Sequence, residues 1–167
     1  IIAGVLHQDG KELHLKSFYG LNEKEFLKDF AQMLNALKAD KLLCAHNGKE
    51  FDFPFLARRM LINRIPLPKI LDTAGRKPWE VNHLDTMDLW KFGDYKNYTS
   101  INLLAAVFDI PTPKDDIDGS DVHRVFWQEN DLERIVTYCR KDVVTLARLF
   151  QCFKNQETVK DENVVLV

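Results

Sequence analysis

The sequence has few cysteines, no long apolar run and no marked excess of either charge. Its three cysteines lie in apolar patterns without CxxC or Cys/His metal spacing, so we expect reduced thiols and a cytoplasmic location. No apolar stretch approaches the roughly 18 residues of a membrane-spanning helix. We therefore expect a soluble protein with no membrane partner.

The charge balance excludes a globally basic nucleic-acid binder. Lys and Arg number 23 and Asp and Glu number 25, for a net charge of -2. A polyanionic partner would need local help, which bound metal ions supply by reversing the charge of an acidic cluster. With 167 residues, 46% of them hydrophobic, the chain is long enough for one α/β domain with a proper core.

Apolar periodicity predicts alternating strands and helices. Two apolar runs flank Asp9-Gly10, a dipeptide typical of tight hairpin turns, and Asn22 with Glu25 resembles a helix capping box. The expected elements are a hairpin of residues 1–6 and 13–18, helices 23–38, 100–108 and 132–153, a further helix from Pro54, and strands 41–46 and 83–88. This order indicates an α/β fold.

The last helix carries the first candidate site. Tyr138 and Asp142 are four residues apart and share one face beside the apolar stripe, whereas Arg140, Lys141 and Arg148 are expected to point to solvent. A carboxylate at the edge of a buried face needs a partner or a cation, which favours a metal. The alternative is a partly exposed helix edge where Asp142 accepts a hydrogen bond.

Asp52 is the second acidic candidate. It follows a buried strand and a sharp turn, and it lies just before Pro54 at the expected amino terminus of a helix. Carboxylates are common there as caps, so Asp52 taken alone is more readily a helix cap than a ligand.

Two sequence motifs favour a metal ligand over a helix cap as the role of Asp52. The segment His46-Asn47-Gly48-Lys49-Glu50-Phe51-Asp52-Phe53-Pro54-Phe55-Leu56 resembles the second exonuclease motif of the proofreading domains of family-B DNA polymerases. Tyr138-Cys139-Arg140-Lys141-Asp142-Val143 resembles the third motif, in which Tyr precedes the metal-binding Asp by four positions. Their joint occurrence, in order, is similar to the DEDD-type 3′-5′ exonucleases, and above all to stand-alone predicted exonucleases related to those domains.

The resemblance implies a ribonuclease H-like fold, a mixed β-sheet flanked by helices. It also implies two divalent metal ions, Mg²⁺ or Mn²⁺, which bind Asp142 and Asp52 and support hydrolysis at a nucleic-acid 3′ end. Tyr138 would orient the attacking water. The sister subclass has His five positions before the last Asp, where this chain has Thr137, so the tyrosine subclass is indicated.

Further residues match family positions that contact the substrate. Asn47 and Phe51 would contact the terminal nucleotides, with the ring of Phe51 stacked on a base; the alternative is that Phe51 belongs to the core. Lys114, in Lys114-Asp115-Asp116-Ile117, resembles an element that touches the scissile phosphate. The resemblance favours DNA over RNA as the partner.

His46, His83 and Asp85 also suggest a metal site. A histidine at a strand end is more often a satisfied residue near the core, so we assign none of the three a catalytic role.

One part of the family pattern is missing. The first motif, Asp-x-Glu on the opening strand, does not occur before the second motif, and Glu23 and Glu25 fall on a predicted helix. We expect residues 1–167 to form a single exonuclease-like domain whose first strand and two acids lie upstream, so that this segment alone is weak or inactive. The alternatives are an inactive nucleic-acid-binding module of the same fold, and a structural domain that does not respond to metal.

Overall fold

A computed structural model describes residues 2–9, 11–94, 96–111 and 117–167. The structure contains both helices and strands, which confirms the mixed α/β class. The elements are β1 (Ile2–Asp9), β2 (Glu12–Phe18), α1 (Glu23–Ala36), β3 (Cys44–Ala45), α2 (Asp52–Ile62), β4 (Leu84–Asp85), α3 (Thr86–Lys91), α4 (Ile101–Val107), α5 (Val122–Trp127), α6 (Leu132–Phe153) and β5 (Val164–Leu166). The chain divides into two compact units, residues 22–99 and the remainder.

The first unit, residues 1–21 and 100–167, contains a three-stranded sheet in the order β1-β2-β5. Strands β1 and β2 pair in antiparallel fashion from Ile2 opposite Phe18 to Asp9 opposite Glu12, which confirms the predicted hairpin. Gly10, which completes the predicted turn, lies outside the described residues. In β2 the side chains of Leu13 and Leu15 are buried and separated by half-buried His14, as expected for a strand with one face on the core.

The long helix α6 has the predicted bounds, but the expectation for two of its arginines is wrong. Arg148 is buried rather than exposed. Its Nε donates to the carbonyl of Val159 at 2.9 Å, and its guanidinium pairs with Asp161 at 2.6 Å. Arg140 is half-buried and its Nε donates to Ser17 Oγ at 2.8 Å. Both side chains are held by segments distant in sequence or past the end of the helix.

The tail of residues 158–167, for which the sequence leaves open a docked strand or a frayed end, contains β5 and belongs to the first unit. Gln151 Oε1 accepts from the amide of Val159 at 2.9 Å. Side chains of α6 therefore bind both the amide and the carbonyl of Val159. The chain then forms β5, which lies parallel to β2 with Leu13 opposite Val164. The polar face of α6 therefore binds the tail.

The second unit, residues 22–99, begins with α1. The predicted capping box is wrong, because the side chain of Asn22 makes no capping hydrogen bond. The acid that matters in the first turn is Glu23, whose carboxylate binds Arg59 Nε at 2.6 Å and Asn63 Nδ2 at 3.0 Å. This contact with α2 holds the pKa of Glu23 below its usual range, chiefly through the hydrogen bond from Arg59.

Strands β3 and β4 are much shorter than the predicted runs 41–46 and 83–88. They form one parallel pair in which Cys44 lies opposite Leu84 and Ala45 opposite Asp85. After Asp85 the chain turns at once into α3, because the Asp85 carboxylate accepts from the amide of Met87 at 3.0 Å and caps that helix. Ala45 and Asp85 thus form the last pair of this ladder, directly before the second motif.

Arg148→Met should destabilise the protein, because it leaves the buried carbonyl of Val159 without its side-chain donor. We expect the free energy of unfolding in urea to fall by about 2 kcal/mol. The matched control is Asp161→Asn, which alters the other partner, a side chain 89% exposed. That change should cost less than about 1 kcal/mol, and equal losses in the two variants would contradict this role of Arg148.

Candidate functional site

The second motif forms a tight loop between β3 and α2. Asn47 lies in the left-handed region with φ of 61°. The amide of Phe51 donates to the carbonyl of Asn47 at 3.1 Å, and that of Phe53 donates to the carbonyl of Gly48 at 2.9 Å. These bonds close the loop, and α2 begins at Asp52 with Pro54 in its first turn, as predicted.

Gly48 is required in this loop by packing. A Cβ atom at this position would lie 2.3 Å from Cβ of Ala45 and 3.2 Å from the ring of Phe53. Ala45 is the last residue of β3 and Phe53 is in the first turn of α2, so the loop brings the end of the strand and the start of the helix together. A larger residue would separate them.

Asp85 holds the same loop from β4. Its side chain is only 3% exposed. Oδ1 accepts from the amide of Asn47 at 2.8 Å, and Oδ2 accepts from the amide of Lys49 at 3.1 Å, in addition to the Met87 bond that caps α3. The sequence predicted a strand over 83–88 and gave no sign that Asp85 reaches a loop 38 residues earlier.

His46 binds protein groups through both ring nitrogens. Nε2 lies 2.8 Å from the carbonyl of Thr99, which can only accept, so Nε2 carries the proton. Nδ1 lies 2.9 Å from the hydroxyl of Thr86, whose Oγ1 also lies 3.4 Å from the carbonyl of Ala45. Both ring nitrogens of His46 are thus occupied by protein groups.

His83 is satisfied in the same way and is buried. Its Nε2 donates to the carbonyl of Ile70 at 2.7 Å, and its Nδ1 accepts from the amide of Leu43 at 3.3 Å. Burial lowers the pKa of His83, partly offset by the Ile70 hydrogen bond. The neutral ring joins the segment before β4 to the segment before β3.

Asp52 is the first residue of α2 and is exposed by its surface area. Its carboxyl nevertheless has enough protein around it that desolvation raises its pKa, an effect opposed by its own backbone amide and strengthened by the charge of Asp85. An exposed carboxyl with a raised pKa lies where a cation would be favourable, because a positive charge relieves both effects.

Asn47 and Phe51, the predicted substrate contacts of the second motif, differ in their surroundings. Oδ1 of Asn47 is buried and has no hydrogen-bond partner within the described ranges. The side chain of Phe51 is 61% exposed and stacks on the exposed ring of Phe55, with centroids 5.9 Å apart and planes at 11°. The alternative that Phe51 belongs to the core is therefore wrong.

Tyr138 and Asp142 lie one turn apart on α6, in the first unit, and both are half-buried. Tyr138 packs against a buried cluster formed by Ile117, Val125 and Ile135. A Cβ atom added to Gly119 would lie 3.9 Å from the Tyr138 hydroxyl, so this segment runs beside the phenol. The buried cluster thus fixes the ring at one side of the turn that carries Asp142.

The donor set falls short of a complete metal site. Among residues 2–9, 11–94, 96–111 and 117–167, no group of three or more His, Cys, Asp or Glu side chains is arranged to hold a metal ion. Asp52 lies in the second unit and Asp142 in the first. Lys114, the third predicted substrate contact, lies outside the described residues. The described residues alone do not fit a two-metal centre.

The cysteines have no part in this chemistry. All three are free and half-buried, as the sequence predicts. Burial, with the nearby charge of Asp85, raises the pKa of the Cys44 thiol to about 11, so it stays protonated at neutral pH.

In the part of the chain that the structure describes, no helix is both long and apolar enough to cross a membrane.

Comparison with known families agrees with the two motifs. Residues 1–163 match the family model of predicted 3′-5′ exonucleases related to the exonuclease domain of PolB, and the chain belongs to that family. The match covers both motifs and confirms the relationship to the polymerase exonuclease domain that they indicated. A comparison with curated proteins found no match.

The buried neutral ring of His83 predicts a pH-dependent stability. Its pKa is lowered in the folded protein, so its contribution is complete above the unfolded value of about 6.5 and is lost as pH falls through the folded value. We expect the free energy of unfolding of the wild type to decrease below about pH 6.5, and His83→Gln, which cannot be protonated, to lack that component.

The matched control for this experiment is His123→Gln, since His123 is an exposed residue of α5. It should keep the pH dependence of the wild type in denaturant unfolding at several pH values. Identical pH dependence in the wild type and His83→Gln would contradict the inferred role of the neutral ring.

Proposed function

We propose that this protein is a metal-dependent 3′-5′ exonuclease that shortens single-stranded DNA from its 3′ end. The observation that carries the proposal is the family match over residues 1–163, which includes both motifs with their Asp and Tyr in place. We further propose the ribonuclease H-like fold, a single domain of the tyrosine DEDD subclass and a cytoplasmic location.

The proposed reaction is hydrolysis of the last phosphodiester bond. Water forms a new bond to the phosphorus, and the bond between phosphorus and the 3′ oxygen of the preceding nucleotide breaks. The water loses a proton and the departing 3′ oxygen gains one, which gives a nucleoside 5′-monophosphate and a new 3′ hydroxyl end. Tyr138 would position the water, because a phenol with a pKa of about 10 is a better hydrogen-bonding group than a base at neutral pH.

The metal ligands of this chain in the proposal are Asp52 and Asp142. When bound, Mg²⁺ or Mn²⁺ ions acidify water and stabilise charge on the leaving oxygen. The raised pKa of Asp52 supports its part, since a carboxyl held among protein atoms near Asp85 gains from a cation. In the family pattern the remaining two carboxylates belong to the first motif, Asp-x-Glu.

The substrate contacts in the proposal are Asn47, Phe51 and Lys114. Asn47, whose buried Oδ1 has no hydrogen-bond partner within the described ranges, would contact the terminal nucleotide, and the exposed ring of Phe51 is a platform for any base. A stacking platform has no preference for sequence, as a general exonuclease requires. Lys114 would contact the scissile phosphate.

The alternative function is that of an inactive nucleic-acid-binding module that keeps the fold. The two functions differ in a direct experiment. The module would bind single-stranded DNA and leave its length unchanged with Mg²⁺ or Mn²⁺.

Asp142→Ala should abolish 3′ shortening, because it removes a proposed metal ligand. With the full-length protein, a 5′-labelled single-stranded oligonucleotide should shorten progressively in Mg²⁺ or Mn²⁺, and the variant should be slower by roughly a hundredfold or more. The matched control is Glu133→Ala, an exposed acid on the same helix, which should keep the wild-type rate. Equal shortening by the wild type and Asp142→Ala would disprove the assignment.

Phe51→Ala should weaken binding of single-stranded DNA by roughly tenfold, the loss expected for one stacked base. Fluorescence anisotropy without divalent ions measures binding separately from cleavage. Phe92→Ala is the control, since Phe92 is a 91% exposed aromatic residue of the same unit and outside the motif. If both variants lose affinity equally, Phe51 is not a specific platform.

A further inference from the structure

We propose that Asp85 is a positioning residue for the second motif, holding Asn47 and Lys49 in the loop that presents Asn47 and leads into Asp52. This inference rests on the proposed function for its catalytic meaning, although the loop contacts themselves do not. The two motifs by which the family is recognised do not contain Asp85, and the sequence pattern assigned it no role.

Burial determines which partners the Asp85 carboxylate needs. Its carboxylate is almost completely buried, and a buried carboxylate needs strong hydrogen bonds or a cation. It obtains three backbone donors, the amides of Asn47, Lys49 and Met87, at 2.8 to 3.1 Å. The ammonium of the nearest loop lysine, Lys49, lies 3.7 Å from exposed Asp88 instead. The backbone amides are thus its main stabilisation.

The three amide donors of Asp85 belong to two different structures, the α3 cap and the motif loop. Only the Met87 bond caps α3, and a cap needs no more than that. The bonds from Asn47 and Lys49 go to the two different carboxylate oxygens, so the side chain spans the loop on both sides of Gly48. Two of the three bonds therefore serve the motif loop and have no function in the helix cap.

The hydrogen bonds to the loop fix the backbone of Asn47. Asn47 has a left-handed backbone, which costs a non-glycine residue free energy unless its surroundings hold it there. The bond from its amide to Asp85 supplies that restraint. With the backbone held, the Asn47 side chain keeps the orientation in which Oδ1 is free, and the loop carbonyls keep accepting from Phe51 and Phe53 at the start of α2.

Two substitutions separate positioning from capping. Asp85→Ser keeps a cap for α3 but is too short to bridge to Asn47 and Lys49. Asp85→Asn keeps one carbonyl oxygen and places an amide donor against one of the loop amides, so it loses one loop bond. The control is Asp94→Asn, because Asp94 also accepts a backbone amide, from Lys96 at 3.0 Å, but is exposed and away from the motif.

The first measurement is amide hydrogen exchange in the full-length protein, resolved by residue. In Asp85→Ser the amides of Asn47 and Lys49 should exchange roughly tenfold faster or more, the change expected for loss of a charge-assisted hydrogen bond, while Met87 stays protected. In Asp85→Asn one of the two loop amides should change. Unchanged loop amides, or a uniform increase that includes Met87 and α1, would overturn the proposal.

The second measurement is steady-state cleavage per folded molecule, with folded protein counted by its unfolding transition. Asp85→Ser should lower kcat/KM by roughly tenfold, and Asp94→Asn should leave it unchanged. An unchanged kcat/KM in Asp85→Ser, with a cleaving wild type, would overturn positioning while the exonuclease assignment survives. If the wild type does not cleave, the exonuclease assignment fails and the exchange pattern alone decides whether Asp85 anchors the loop.

Discussion

In the second unit, a buried carboxylate that the described residues satisfy through backbone amides holds the motif loop. The side chain of Asp85 accepts from backbone amides on both sides of Gly48 and at the start of α3. It can do so because the parallel pair of Ala45 and Asp85 ends the short ladder beside the loop. Without this pairing the carboxylate would face desolvation without compensation, which proteins avoid.

The same region contains two histidines whose protons are fixed by carbonyl acceptors. His46 is held by Thr86 and Thr99, and His83 by Leu43 and Ile70. Both nitrogens of each ring are used, so the histidines are structural supports for the motif loop.

Local periodicity predicted the elements that depend on local interactions. Helix α6 has the predicted bounds, and Ser100 caps α4 through the amide of Leu103 as a preference for Ser at that position suggests. The errors arose where a distant segment competed for a side chain. Asn22 makes no capping bond while Glu23 binds Arg59, and Arg148 binds the tail instead of water. The spacing of residues within one helix cannot predict partners that lie in other segments.

The candidate site also has features that the sequence determined and features that only the tertiary structure decided. The sequence by itself determined the kinship, because the motif residues and their spacing are a property of the chain, and it determined the helical placement of Asp52, Tyr138 and Asp142. Only the tertiary structure decided that Phe51 is exposed and that Asp85 holds the loop. Burial and long-range hydrogen bonds depend on which segments meet, and residues 38 positions apart have no shared period from which to infer their contact.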